Sequence, residues 1–229
     1  MTGPRRARSP EDKEQRRQDI LDHAWELFQA RPWPELTMSD VAEASGLSKA
    51  ALYRYFETKE SLFLEVEAAR LGSWLEELGA ELERLHRPAS PESVAALIAD
   101  SLVARAGLPR LLALLHVSLE QNVPFDAALA FKRALHDWLV SLGSQLEAAM
   151  GSLPPGAGLG AALQLHALSI GLWQMADAGP VVKRLLERPE LRQLRIDFHA
   201  ALVSGAATML RGLARAERQP QDSSARRRA

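Results

Sequence analysis

A chain of 229 residues is long enough to bury a sizeable core as one or two domains. It has no cysteine, which excludes disulfides, thiolate metal sites and cysteine nucleophiles. Its formal net charge of −1 excludes nucleic-acid binding through bulk charge, so any DNA affinity has to come from a local patch.

With two tyrosines and abundant Ala, Leu, Glu and Arg, the expected fold class is all-α. Residues 1–10 read as a disordered basic arm: Arg5, Arg6 and Arg8 lie among two prolines, and charged residues rather than an export-type apolar run follow. The first helix is expected from about Glu11 to Ala30, with Ile20, Ala24, Leu27 and Phe28 facing inward and Pro32 and Pro34 stopping it. Thr37 then caps a short helix with Asp40 three residues on, a capping-box pair, and Val41, Ala42 and Ser45 give it an apolar face. Gly46 stands where a helix ends with positive φ.

Ser48 caps the next helix, in which Leu52 and Phe56 share one face while Lys49, Ala50, Tyr53 and Arg54 occupy the other. Two capped helices around one glycine, at about 37–56, make a helix-turn-helix, although such a hairpin is also an ordinary packing motif. Small side chains near the second helix's start let the backbone approach base edges, and the basic and hydroxyl groups reach phosphates and bases. The candidate DNA-binding residues are therefore Thr37, Ser48, Lys49, Ala50, Tyr53, Arg54 and, in the first turn of the following helix, Lys59.

That following helix carries apolar spacing from Thr58 to about His86 and is expected to join the DNA-reading part to everything downstream. Further helices are expected from Ser90 to about Ala106, from Pro109 to about Asn122 and from Pro124 to near Gly151. Residues 160–178 are apolar almost all round, which calls for partners on two sides. After a short piece ending at Pro189, one last helix is expected over about 190–215, with a tail at 216–229 left disordered. The organisation read from this is a helix-turn-helix domain at 11–58 and a larger helical domain at 59–215. No uninterrupted apolar stretch nears the roughly 20 residues that span a bilayer, so a soluble cytoplasmic protein is expected.

The residues of the N-terminal third closely resemble the tetracycline-repressor (TetR-like) family of transcriptional regulators. The likeness runs through Ile20-Leu21-Asp22, Ala24, Leu27-Phe28, Leu36-Thr37-Met38, Val41-Ala42, Gly46-Leu47-Ser48-Lys49, Leu52-Tyr53-Arg54-Tyr55-Phe56 and Lys59-Glu60-Ser61-Leu62. Two positions depart: members often have Gly after the first helix, where Arg31-Pro32-Trp33-Pro34 stands here, and often Thr at the position of Ala51. The resemblance implies a homodimer on a palindromic double-stranded DNA operator, repressing, and released by a small-molecule effector bound in the second domain.

No catalytic constellation is present. Glu83-x-x-His86 has the spacing of a di-iron ligand pair but no second copy, and there is no Gly-rich phosphate loop, so no enzyme activity, metal or cofactor is expected. Trp74, His116, Asn122, Phe125, Phe131, Trp138, His166, Trp173 and Gln174 are candidates to line an effector pocket for an apolar or aromatic molecule, core packing being the competing role for each. Leu168, Leu172, Phe198, Ala201, Leu202, Gly205 and Met209 are the candidate dimer interface, where small residues permit close helix approach. The alternatives are a regulator of the same fold that answers to a protein or to nothing, and a helical-bundle carrier or enzyme for an apolar molecule.

Overall fold

The computed structural model describes residues 9–105, 107–115 and 122–216. The expected basic arm before Ser9, most of the expected tail, and His116 lie outside them. Every regular element among the described residues is a helix. The chain divides into two compact units, one holding the described residues within 1–72 and 106–135, the other those within 73–105 and 136–229.

The first unit begins with α1, Pro10–Ala30, one residue earlier than the expected start at Glu11 because Ser9 and Asp12 form a capping box around its first turn. Ile20, Leu21, Ala24 and Phe28 are buried. Arg31 turns extended ahead of Pro32, and residues 33–35 form a 3-10 turn whose Trp33 packs edge-on against Phe63, ring centroids 4.9 Å apart. The segment that departs from the family pattern thus supplies a half-buried aromatic that packs on the buried Phe63. Then come α2 (Met38–Ala44), α3 (Lys49–Leu52) and the start of α4 (Lys59–Arg84), whose Leu62, Phe63 and Val66 are fully buried. Asp22 receives a 2.6 Å hydrogen bond from Arg70, joining α1 to α4. The unit also takes in α6 (Leu108–Leu114) and the first turns of α7 (Phe125–Met150).

In the second unit, α5 (Pro91–Val103) and α10 (Phe198–Ala216) pack antiparallel. Phe198, Leu202, Ala206, Leu210 and Ala214, each four residues apart, are buried, as are Val94, Ala95, Ile98, Ala99 and Leu102. Their two ends are clasped by Arg211 on Glu92 and by His199 on Asp100. α8 (Gly158–Ala176) crosses α7 where Gly143 meets Gly158 so closely that a Cβ on either would strike the other's backbone. Ala157 offers α8 no side-chain cap. Glu147 of α7 does so instead, its Oε1 accepting the amides of Gly156 at 2.9 Å and Gly158 at 2.7 Å.

The single last helix expected over 190–215 is two elements. α9 (Pro180–Leu185) is followed by a 3-10 stretch, Pro189–Leu194, then extended backbone at Arg195; α10 starts only at Phe198. The reason is local: Asp197 accepts the amide of Ala200 at 3.0 Å, capping a new helix in the middle of the apolar stripe.

Candidate nucleic-acid interface

Thr37 and Asp40 form the expected capping box at the start of α2. The Thr37 amide and hydroxyl donate to Asp40 Oδ2 at 2.8 and 2.6 Å, and Thr37 Oγ1 accepts the Asp40 amide at 3.3 Å. These bonds from Thr37, with Arg31 adding an ion pair at 3.2 Å, hold the Asp40 carboxyl below its ordinary pKa of 3.8. α2 ends in a Schellman motif: Gly46, at φ 65°, donates its amide to Glu43 O and Leu47 donates to Ala42 O. That geometry reverses the chain in three residues and presents Ser48, whose Oγ accepts the Ala51 amide at 3.2 Å.

α3 is a single helical turn, shorter than the apolar pair Leu52 and Phe56 suggests. Tyr53 still bonds Lys49 O, then Arg54 and Tyr55 make i to i−3 bonds to Ala51 O and Leu52 O, and Phe56 bonds Leu52 O four residues back. The tighter winding still buries Leu52 and Phe56. Ser48, Lys49, Ala50, Tyr53 and Arg54 are all exposed, Tyr53 by 44%, and the Lys49 ammonium lies 6.0 Å from the Tyr53 ring centroid. Ala51 is half-buried, so it is on the flank of this face. The Thr37 hydroxyl proton is already donated to Asp40, whereas the Ser48 oxygen only accepts, leaving its proton for a phosphate.

Lys59 needs correcting. Its Nζ donates to the carbonyls of Trp33 at 3.1 Å and Leu36 at 3.0 Å and sits 3.9 Å from the Trp33 ring centroid. Burial lowers its pKa below the usual 10.5, because desolvation penalises the ammonium. A lysine so engaged ties α4 to the connection before α2. The sequence pattern hid this because the partners are main-chain carbonyls, which carry no residue signature.

The candidate pocket residues are divided between the two units. Asn122, Phe125 and Phe131 belong to the first unit; Trp74, Trp138, His166, Trp173 and Gln174 belong to the second. Trp74 is a satisfied core residue, its indole N–H donating to Ser101 Oγ at 3.0 Å. Phe125 is 78% exposed, and the Asn122 carbonyl accepts from the Thr58 hydroxyl at 3.1 Å. Phe131 is buried, Trp138 and His166 are half-buried, Gln174 is exposed, and Trp173 packs edge-on against Phe198 with centroids 5.1 Å apart. The second unit does hold a cavity of about 290 Å³, but Met175, Leu186 and Ile196 line it with Lys183, Glu187 and Arg195, none of them foreseen.

The candidate interface residues also divide. Phe198 and Leu202 are buried inside the protomer, and Leu168 Cδ2 lies 3.2 Å from where a Gly205 Cβ would stand, so that glycine serves the packing of α10 on α8 within one chain. Leu172, Ala201 and Met209 are half-buried. No helix among the described residues is long and apolar enough to cross a membrane.

Residues 20–66 match the family described as bacterial regulatory proteins, tetR family, and residues 68–217 match the tetracyclin repressor-like C-terminal domain. An uncharacterized HTH-type transcriptional regulator of Mycobacterium tuberculosis is 43% identical over 56 residues, which is 23% of this chain and 28% of that protein. The fatty acid degradation regulator FadR of Bacillus halodurans has a similar fold at 16% identity, with a TM-score of 0.56 over 86% of this chain and 95% of that one. FadR of Bacillus subtilis, solved in complex with stearoyl-CoA, does so at 16% identity, with a TM-score of 0.53 over 86% and 97%. With both parts of the family's architecture matched along most of its length, the chain belongs to the tetracycline-repressor-like (TetR) family of DNA-binding transcriptional regulators.

Proposed function

We propose that the chain is a cytoplasmic repressor that binds a palindromic operator as a homodimer through residues 48–54, and leaves it when a small apolar or aromatic molecule occupies the second unit. The observation that carries the DNA-reading part is the exposed set Ser48, Lys49, Ala50, Tyr53 and Arg54, held on a capped turn whose other side is buried. Lys49 and Arg54 supply phosphate charge, Ser48 a hydroxyl at the helix start, and Ala50 a side chain small enough for close approach to base edges.

The dimer reading is supported by α8. Its sequence is apolar almost all round, yet the protomer covers only part of it: Ala161, Ala162, Leu165 and Ile170 are buried, while Leu159 and Leu163, one turn apart on one side, are 41% and 54% exposed. A two-fold partner on that face would double the DNA site and make it palindromic. The effector reading is supported by the stearoyl-CoA that FadR of Bacillus subtilis carries, a molecule with a long apolar tail and a charged head, and by the cavity where Met175, Leu186 and Ile196 stand beside Lys183, Glu187 and Arg195. A regulator answering to no small molecule is the alternative.

Selection of bound duplexes from a random-sequence pool by the purified chain tests the reading. An enriched inverted repeat is expected, with half-sites about 34–36 Å apart or somewhat more. Enrichment of a single unrepeated half-site would contradict the dimer, and no enrichment would contradict sequence reading. Loss of the selected duplex on adding stearoyl-CoA or a smaller apolar compound then separates the sensor from the constitutive binder.

A further inference from the structure

We infer that Arg17, on α1, is a positioning residue for DNA reading: its guanidinium sets residues 48–54 at a fixed angle against α4. The inference rests on the reading face assigned above, which Arg17 itself does not join. Its Nε donates to Glu65 Oε2 at 2.7 Å, and Nη2 donates to Glu65 Oε1, so the pair is bidentate. Nη1 reaches the Tyr55 carbonyl at 3.4 Å, and the guanidinium carbon lies 4.5 Å from the centroid of the Phe56 ring. Three elements therefore converge on one planar cation: α1 contributes it, α4 contributes Glu65, and the end of the reading segment contributes a carbonyl and a ring.

The geometry makes the arrangement directional. The reading segment is only one helical turn and a tightened extension, with little backbone bonding of its own to fix its tilt. Its start is set by the turn at Gly46 and the Ser48 cap. Its end is set by the burial of Phe56 and by Arg17, which donates to the Tyr55 carbonyl just past the helical turn. A lysine there could keep the charge but could not grip a carboxylate with two parallel N–H bonds while reaching the Tyr55 carbonyl with a third. Both partners are about two-thirds covered, with side chains 29% and 36% exposed, which places the pair between an exposed ion pair and a core one. Three of the five N–H bonds of Arg17 are turned to Glu65 and Tyr55.

The test uses the full chain, a duplex recovered by the selection above and a scrambled duplex of equal length, with affinities read by anisotropy across salt concentrations. Arg17→Met is expected to weaken the selected duplex about five- to 150-fold, the factor attached to one lost base contact, and to leave the scrambled duplex and the salt slope unchanged. Glu65→Gln, which approaches the pair from α4 and preserves side-chain size, should do the same to a smaller degree. Arg17→Lys should restore only part of the loss. In the Arg17→Met, Glu65→Gln double variant the losses should fail to add. Melting measured on each variant confirms that the assay runs well below unfolding. Equal weakening on both duplexes with a salt slope lower by about one unit would make Arg17 a phosphate contact and overturn the inference. Unchanged operator affinity would reduce the pair to a stability element and overturn it too. A wild-type chain that binds neither duplex would instead overturn the DNA-reading assignment itself.

Discussion

Lys59 donates two of its three N–H bonds to the carbonyls of Trp33 and Leu36, and this makes it a fastener of α4 rather than an outward charge. Lys59→Met should therefore lower stability by about 1–3 kcal/mol, the cost of leaving two partly buried carbonyls without a charged donor. In urea unfolding the loss would be read directly; unaltered stability together with a DNA salt slope lower by about one unit would return Lys59 to the phosphate-contacting set. Asp40 gives a pH signature. Its folded pKa is depressed by Thr37 and Arg31, so the ionised carboxyl adds stability that is fully present above 3.8 and disappears as pH falls through the lower folded value. The stability gap between the wild type and Asp40→Asn should thus be constant near neutrality and close on acidification below 3.8; a gap that persists at lower pH would contradict the assignment. Side chains whose partners are neighbours in sequence, such as Thr37 with Asp40, were legible from spacing alone. Lys59 and Arg17 were not, because the residues they hold lie at sequence separations of 23 to 48.

The turn between α2 and α3 concentrates its conformational demand in one residue. Gly46 has φ 65° and nothing within 4 Å of where a Cβ would stand, so Gly46→Ala meets backbone strain without a clash. The expected cost is about 1–2 kcal/mol, the penalty of the left-handed region for an L-residue. Thermal unfolding should show it as a lowered midpoint, and an unchanged midpoint would mean that the turn relaxes to another conformation. At this scale the motif could be read from caps and a glycine, and α7 from its apolar spacing. The division of the last helix could not, because Leu191 and Leu194 continue the apolar stripe even though Asp197 restarts the helix; Leu194 ends up exposed. Nor could the cap of α8, whose carboxylate comes from Glu147 on the preceding helix.

A monomer with one reading face specifies only a few base pairs, so the proposed palindromic operator calls for a partner copy, and the exposed Leu159 and Leu163 of α8 offer it a surface. Leu163→Glu would set a charge on that surface without entering the protomer core. It should shift sedimentation from dimer towards monomer and reduce operator binding with it, whereas a dimer indifferent to the change would move the interface elsewhere. The all-round apolar pattern of residues 160–178 was legible in the sequence; which of Leu168, Phe198, Leu202 and Gly205 belong to the protomer could be read only once α10 was seen packed on α8 and α5. The assignment of residues 48–54 to DNA reading is tested most directly by anisotropy of Lys49→Ala and Tyr53→Ala on the selected and scrambled duplexes across salt. Lys49→Ala should weaken both duplexes alike and lower the salt slope by about one unit, and Tyr53→Ala should weaken the selected duplex alone, by about 1–3 kcal/mol. Wild-type affinity and slope for both variants on both duplexes would contradict it.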